Sequence, residues 1–381
     1  MEIYNLYFGK IKPRQPFDKV KIGPFEISVK NNYKIIVNQL PRPNVISGQP
    51  DGDQEYIKGR IGGWIATADC RCENGSEKSI LAINPIDDSG IWDLCQILTF
   101  LNGRNITCNP NDSRYDPNVF GDRACIDIEI LHAAKVMWNN RKILVERKLV
   151  YSFLLYNSAV SCHDVNSRAG VISASFNGVY DDWLRQAKRD LKDSDDESKG
   201  LYAKLVDLTK EEKSIAKDVV QKAIESNEKI DGPKKDGLIN LLKAKIDGGL
   251  LSPVNLIQAM LISEEIIPEH PDSSVIDRIK FMNTVRNKFV HNGAPPEFKK
   301  NPELSIEFSI FIICRLMPDL IQMYLGKAVG FTNKSVGSLS QHKHNFINYF
   351  NYGIYNGRKV ESESYEDEIS SIIQKANEDS K

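Results

Sequence analysis

From Met1 to about Ile86 apolar and polar positions change places at short intervals, as they do in half-buried strands. Phe25 to Val29, Tyr33 to Val37 and Arg60 to Thr67 alternate or are rich in β-branched residues. Asn31-Asn32, Pro41-Arg42-Pro43, Gly48-Gln49-Pro50-Asp51-Gly52 and Glu73-Asn74-Gly75 part them with turn formers, predicting a β-rich first domain of sandwich or open-barrel type. Near Asp87 the period changes. Ile91, Leu94, Cys95, Leu98 and Leu101 follow a three-to-four spacing that stops at Asn102-Gly103, a helix with a left-handed cap that covers the sheet. Asn105 to Val119 reads as a surface loop, and Ile126 to Val150 mixes apolar and basic residues without a clear period.

Helical spacing takes over from Lys148. It predicts helices over Leu149 to Cys162, Ile172 to Leu191, Lys210 to Ser226, Gly237 to Lys245, Pro253 to Ile262, Ser274 to Val290 and Pro302 to Leu325. Turns fall at Gly232-Pro233, Gly248-Gly249, Pro268 to Asp272 and Asn292 to Pro296, and the acidic run Asp190 to Glu197 is a solvated loop. Beyond Gly326 the chain is rich in Asn, Ser and Tyr. It then ends in an acidic tail in which Glu366 to Ala376 either forms a last helix or stays loose. The expected class is therefore α+β and multidomain: residues 1–120 β-rich, 121–147 connecting, 148–326 all-α, and 327–381 a C-terminal extension.

Composition narrows the class of protein. With 41% hydrophobic and 27% charged residues and no run of eighteen apolar residues, the chain is expected to be globular and cytoplasmic, without a membrane span. Fifty basic against fifty-one acidic residues leave a net charge of −1, so any nucleic-acid affinity must come from local charge. Seven cysteines are scattered, and only Cys70 and Cys72 lie close together, which points to free thiols in a reducing compartment. Cys95, Cys108 and Cys125 do not recur at ligand-like spacing, so neither a zinc site nor any other metal or cofactor is expected.

One helix breaks its own pattern. At about 100° per residue, Val275, Ile279, Met282, Val285 and Phe289 share an apolar stripe, and Arg286 falls close to its centre. A guanidinium there would face the core or another subunit, where it needs an anion or a polar partner. His291 follows at the helix end before Asn292-Gly293, one turn beyond Asn287, so Asn287 and His291 share a face and the amide could orient the imidazole. An oriented Arg with a His that titrates near neutrality suits phosphodiester chemistry without a metal. The plainer alternative makes His291 a helix-end residue favoured by the dipole and Arg286 a snorkelling interface residue.

The run Val285-Arg286-Asn287-Lys288-Phe289-Val290-His291-Asn292-Gly293 resembles the Arg-Asn-x-x-x-His signature of HEPN domains, particularly the Apea-like HEPN proteins of bacterial defence. The resemblance covers about Lys148 to Gly326, and a β-rich domain ahead of such a helical domain is similar in layout to that group. It implies a metal-independent endoribonuclease acting in anti-phage defence or stress, in which two helical bundle domains pair and present their Arg and His residues to one cleft. Under it His291 is general base or acid, Arg286 stabilises the phosphorane and Asn287 orients the His, while the first domain senses a protein or ligand trigger. The family's acidic partner of the Arg falls here to Asp181 or Asp182. Lys288, Lys299 and Lys300 flank the motif and would attract the RNA backbone, or serve solubility alone.

Two other features have a functional and a plain reading. His163-Asp164 is either a cleft pair or a solvent-facing helix end. His342-Lys343-His344 with Phe346, Tyr349, Phe350, Tyr352 and Tyr355 either stacks bases or anchors a tail on the core. The rival to an RNA-cleaving enzyme is a non-catalytic HEPN-fold dimer that binds nucleic acid or protein. A third alternative is a small-molecule-binding β domain on a helical oligomerisation platform. No phosphate loop, nucleophile elbow or zinc motif supports another enzyme class.

Overall fold

The computed structural model describes residues 1–6, 19–30, 42–43, 50–51, 66–72, 77–83, 89–103, 105–109, 130–160, 162, 164–192, 210–228, 230, 232–248, 253–294, 309–331, 337–355 and 358–359. The described residues are mostly helical, with a small antiparallel sheet near the N-terminus. They divide into two compact units, Met1–Asp182 with Thr284–Lys381, and Trp183–Asn283.

In the first unit β1 (Glu2–Tyr4), β2 (Val20–Ile22), β3 (Phe25–Val29) and β6 (Ala66–Cys72) form a sheet in the order β1-β6-β3-β2, all antiparallel. The period of two is visible in β3: Phe25 and Ile27 are buried, while Glu26 between them pairs with Lys19 at 2.8 Å. Two-stranded ladders, β4 (Arg42–Pro43) with β5 (Pro50–Asp51) and β7 (Ile354–Tyr355) with β8 (Arg358–Lys359), complete the described strands. Tyr33–Val37 and residues 60–65 lie outside the described residues.

Among the described residues, a helix packs on this sheet. Ile130, Leu131, Ala134, Met137 and Trp138 form the buried stripe of α2 (Ile130–Asn140), in a stretch whose interspersed basic residues hide the period in sequence. The Trp138 ring stands edge-on to Phe25 at 5.5 Å between centroids. It lies so close to the β2–β3 turn that a Cβ at Gly23, φ +56°, would come within 2.1 Å of its Nε1. Beside it, Arg141 stacks over the indole at 3.8 Å and pairs with Glu77 at 2.8 Å and with buried Asp93 at 3.4 Å. Asp93 in turn accepts from the backbone of Ile80 at 3.0 Å and Leu81 at 3.3 Å, fixing that segment on α1 (Gly90–Asn102). As predicted, α1 ends at Gly103 in the left-handed region, φ 65°.

After the short α3 (Lys142–Glu146), α4 (Val150–Val160) packs on α1, with Phe100 5.3 Å from Phe153 and 5.1 Å from Tyr156 between ring centroids. Gln322 on α10 (Met317–Ala328) donates to the Phe100 carbonyl at 2.8 Å. Helices on both sides of residue 148 therefore share one core. Ser309–Ala328 is long and apolar enough to cross a membrane, yet 83% of it is buried inside the protein, which makes it a core helix. A wide π turn, Ile312–Leu316, opens it just ahead of Pro318, whose ring nitrogen has no proton to give the turn before. α11 (Gly337–Tyr352), not foreseen from its polar composition, buries Phe346, Tyr349 and Phe350.

The long helix α5 (Val165–Lys192) starts at Asp164, whose Oδ2 accepts from the Ser167 amide at 2.7 Å. It lies against α4 at Gly178, where a Cβ would come within 2.1 Å of Ser152 Oγ, and Ser175 Oγ donates to the Ser152 carbonyl at 2.7 Å.

The second unit is helical. α6 (Lys210–Glu225) and α7 (Gly232–Gly248) make a hairpin, and α8 (Pro253–Ser263) takes the indole N–H of Trp183 on Ser263 Oγ at 3.0 Å. α9 (Ser273–Asn292) begins in this unit and ends in the first.

Candidate functional site

Local sequence sets the frame of α9. Asp272 accepts from the Val275 amide at 3.0 Å and the Ser274 hydroxyl at 2.8 Å, capping the first turn. Val275, Ile279, Met282, Val285 and Phe289 are all buried, as the stripe predicts. At the far end Gly293, φ 65°, donates to the Phe289 carbonyl at 3.1 Å. The last turns thus hold Arg286 and Asn287 half-buried and leave Lys288, Val290 and His291 exposed. Five residues at 100° per residue put Arg286 and His291 roughly 140° apart around the axis. One copy of α9 therefore does not aim both at the same atom. Asn287 and His291 sit one turn apart on a shared face, and among the described residues no hydrogen bond joins them.

One partner of Arg286 comes from α5. Its Nη2 donates to Asn177 Oδ1 at 2.7 Å. Tyr180 lies one turn further along α5, half-buried, and its hydroxyl is shut off from solvent with no hydrogen-bond partner among the described residues. Burial pushes the Tyr180 phenol well above its ordinary value, the Asp181 carboxylate adds to this, and Arg286 partly offsets it. The phenol is therefore a neutral donor at any physiological pH. Burial also lowers the Arg286 value, with Tyr180 opposing, so the cation is partly stripped of water and suited to an anion.

The two acidic candidates part company. Asp181 is exposed, whereas Asp182 is wholly buried. Asp182 Oδ2 accepts from Arg147 Nε at 3.0 Å, also from Arg147 Nη2, and from Tyr324 Oη at 2.9 Å. It joins α3's C-cap to α10, so the acid that the sequence offers to Arg286 is engaged with Arg147. Asn177 carries no charge that would mark it in the sequence as a partner of Arg286. The available signal was that Asn177, Tyr180 and Asp181 stand at i, i+3 and i+4, the spacing of one helix face.

Of the remaining candidates, Lys299, Lys300 and His163 lie outside the described residues. Asp164 is occupied as the cap of α5. Phe346, Tyr349 and Phe350 are core side chains, Tyr349 and Phe350 packing edge-on at 5.1 Å, while Tyr352 is exposed. The six described cysteines are free, and among the described residues no cluster of His, Cys, Asp or Glu could hold a metal. Comparison of the chain with protein-family models, curated proteins and solved structures finds no match. What the arrangement itself can do is hold an anion on a half-buried guanidinium and offer a solvent-facing imidazole on the same helix end.

Proposed function

We propose that the chain is a metal-independent endoribonuclease of HEPN type, acting as a cytoplasmic homodimer or higher homo-oligomer in anti-phage defence or stress, with a sensing or regulatory N-terminal region. The observation that carries this reading is Arg286, kept half-buried and oriented by Asn177 on the helix that ends with exposed His291. An arginine so placed is a directed phosphate binder, since its planar fork loses little further freedom on binding.

In the reaction the ribose 2′-OH loses its proton to a histidine and its oxygen attacks the adjacent phosphorus. The P–O5′ bond breaks, and the departing oxygen takes up a proton. The products are a 2′,3′-cyclic phosphate and a free 5′-hydroxyl. His291 transfers protons, Arg286 neutralises the charge that grows on the phosphorane oxygens, and Asn287 supports the imidazole. The angular separation of Arg286 and His291 on one helix supports a composite site, in which each of two copies supplies part of the set. DNA lacks the attacking hydroxyl. Lys288, with Lys299 and Lys300, draws the RNA backbone.

The test is incubation of purified full-length protein with total RNA in EDTA, with the product ends identified. Cleavage leaving cyclic phosphate ends supports the reading, and intact RNA rejects it. A second reading, a non-catalytic dimer that binds nucleic acid or protein, draws support from the missing bond between Asn287 and His291. It requires RNA binding that survives His291→Ala with no cleavage by either protein.

A further inference from the structure

We propose that Cys95 and Cys108 form a reversible redox pair, in which a hydroperoxide oxidises Cys108 and Cys95 resolves the product as a disulfide between α1 and the segment that follows it. The pair stands apart from the nuclease reading and uses none of its residues.

The fold sets the two cysteines side by side. α1 turns back at Gly103, and the Ile106 amide donates to Thr99 Oγ1 at 3.0 Å, so the returning chain runs beside the helix it has left. From that fixed point Cys95 lies one helical turn back, about 6 Å along the axis. Cys108 lies two residues on, about 7 Å along an extended chain and on the side of buried Ile106. The Cys95 thiol donates a hydrogen bond to the Cys108 sulfur, and both thiols are free. The chain on either side of Cys108 is pinned. The Thr107 carbonyl accepts from the Tyr4 amide at 2.9 Å, and Thr107 Oγ1 accepts from the Asn109 amide at 3.0 Å.

Exposure divides the labour. Cys108 is half-buried, and the bond from Cys95, helped by its own amide and the N-terminal amine, holds its thiol below the ordinary value against the effect of burial. It is the thiolate that reacts. Cys95 is buried, and the bond it gives Cys108, together with burial, keeps it a thiol. Cys70 on β6, pushed up to about 11 by burial, also stays protonated. The Cys108 sulfur attacks the peroxide: an S–O bond forms and the O–O bond breaks. The sulfur is oxidised to a sulfenic acid, and the departing oxygen, now reduced, takes up a proton. The Cys95 sulfur then displaces the sulfenic hydroxyl, which leaves as water with the Cys95 proton while the S–S bond forms. A dithiol reverses the change, so such a pair is compatible with a reducing compartment.

The chain supplies its own readout, because Arg104 separates the two cysteines and trypsin cuts there. Full-length protein is treated with hydrogen peroxide at neutral pH, its remaining thiols are alkylated, and the non-reduced digest is read by mass spectrometry. The peptides carrying Cys95 and Cys108 should appear joined, and dithiothreitol should part them. In Cys95→Ala, checked for folding by circular dichroism, the sulfenic acid has no resolving thiol and dimedone should label Cys108. Loss of the donated bond should also slow alkylation of Cys108 at neutral pH about tenfold, since its thiol returns toward the ordinary value of about 8.5. Absence of the joined peptide, or Cys108 joined to another cysteine instead, overturns the proposal whether or not the variant folds. Alkylation of Cys108 at the wild-type rate in folded Cys95→Ala overturns it as well.

Discussion

At the scale of single residues, His291 separates chemistry from stability because it stands exposed at the end of α9. His291→Ala is expected to change stability by no more than about 0.5 kcal/mol, the range of surface substitutions. On the proposed nuclease reading it should slow RNA cleavage about 100- to 10,000-fold, as loss of a positioned acid–base group does. Rates on a synthetic RNA and denaturant midpoints measured on one preparation check both halves. Asp182 is the contrasting case. Its carboxylate is wholly buried and holds Arg147 and Tyr324, so Asp182→Ala leaves a cation facing a cavity. A broken buried pair costs about 3–5 kcal/mol. With the Arg147 side chain 25% exposed, a loss of about 2–3 kcal/mol in urea unfolding is the expectation here, below that range because of solvent screening. Arg286 was legible in the sequence because it violates an apolar stripe. Asn177 was not, since 109 positions separate it from the arginine it bonds and neither residue type announces the other.

Among the elements, helix ends were the most legible parts. Asn102-Gly103 and Asn292-Gly293 both close helices in left-handed turns, because the cap chemistry is contained in a few adjacent residues. α2 and α11 are not legible for a shared reason: polar and basic residues are interspersed with the apolar ones, so neither sequence shows a clean stripe. Caps also give a pH dependence. The Val275 amide, then the Ser274 hydroxyl, hold Asp272 below its ordinary value, and the Ser167 amide does the same for Asp164. A depressed folded value means the stabilisation is complete above the unfolded carboxylate range, near pH 4, and is lost as pH falls through the folded value. Asp272→Ala should therefore lower stability by about 1 kcal/mol at neutral pH, with the gap to wild type closing as pH drops below about 4. Thermal midpoints of both proteins across that range measure it, and a gap that widens in acid would contradict the cap.

For the whole molecule, the proposed composite site needs a second copy. Light scattering of the full chain at micromolar concentration should give at least twice the monomer mass of 43.1 kDa. A monomer that still cleaves RNA would refute the two-copy geometry. The broad plan of strands first and helices after was legible because periods of two and of three to four are local properties of a sequence. The grouping into Met1–Asp182 with Thr284–Lys381, and Trp183–Asn283, was not, because a unit assembled from separate stretches leaves no mark at any one junction. The bonds from Gln322 to Phe100 and from Asn157 to Gln96 are of this kind, tying helical to N-terminal segments across long sequence distances.

The meeting of Gly178 with Ser152 makes two positions behave as one quantity of volume. Gly178→Ala alone should lower the melting temperature and, on the proposed nuclease reading, blunt RNA cleavage, because a methyl group 2.1 Å from Ser152 Oγ requires that hydroxyl to turn away or α5 to shift, and a shift of α5 moves Asn177 with it. Removing the obstructing oxygen leaves only the Ser152 Cβ, at 3.5 Å, an ordinary contact. The double variant Gly178→Ala/Ser152→Ala should accordingly recover most of both losses. Failure of the second substitution to rescue the first would show the clash lies elsewhere. If the rescue holds, any related chain with a larger residue at the first position is expected to carry a smaller one at the second, so the seating of α5 on α4 is inherited through the pair.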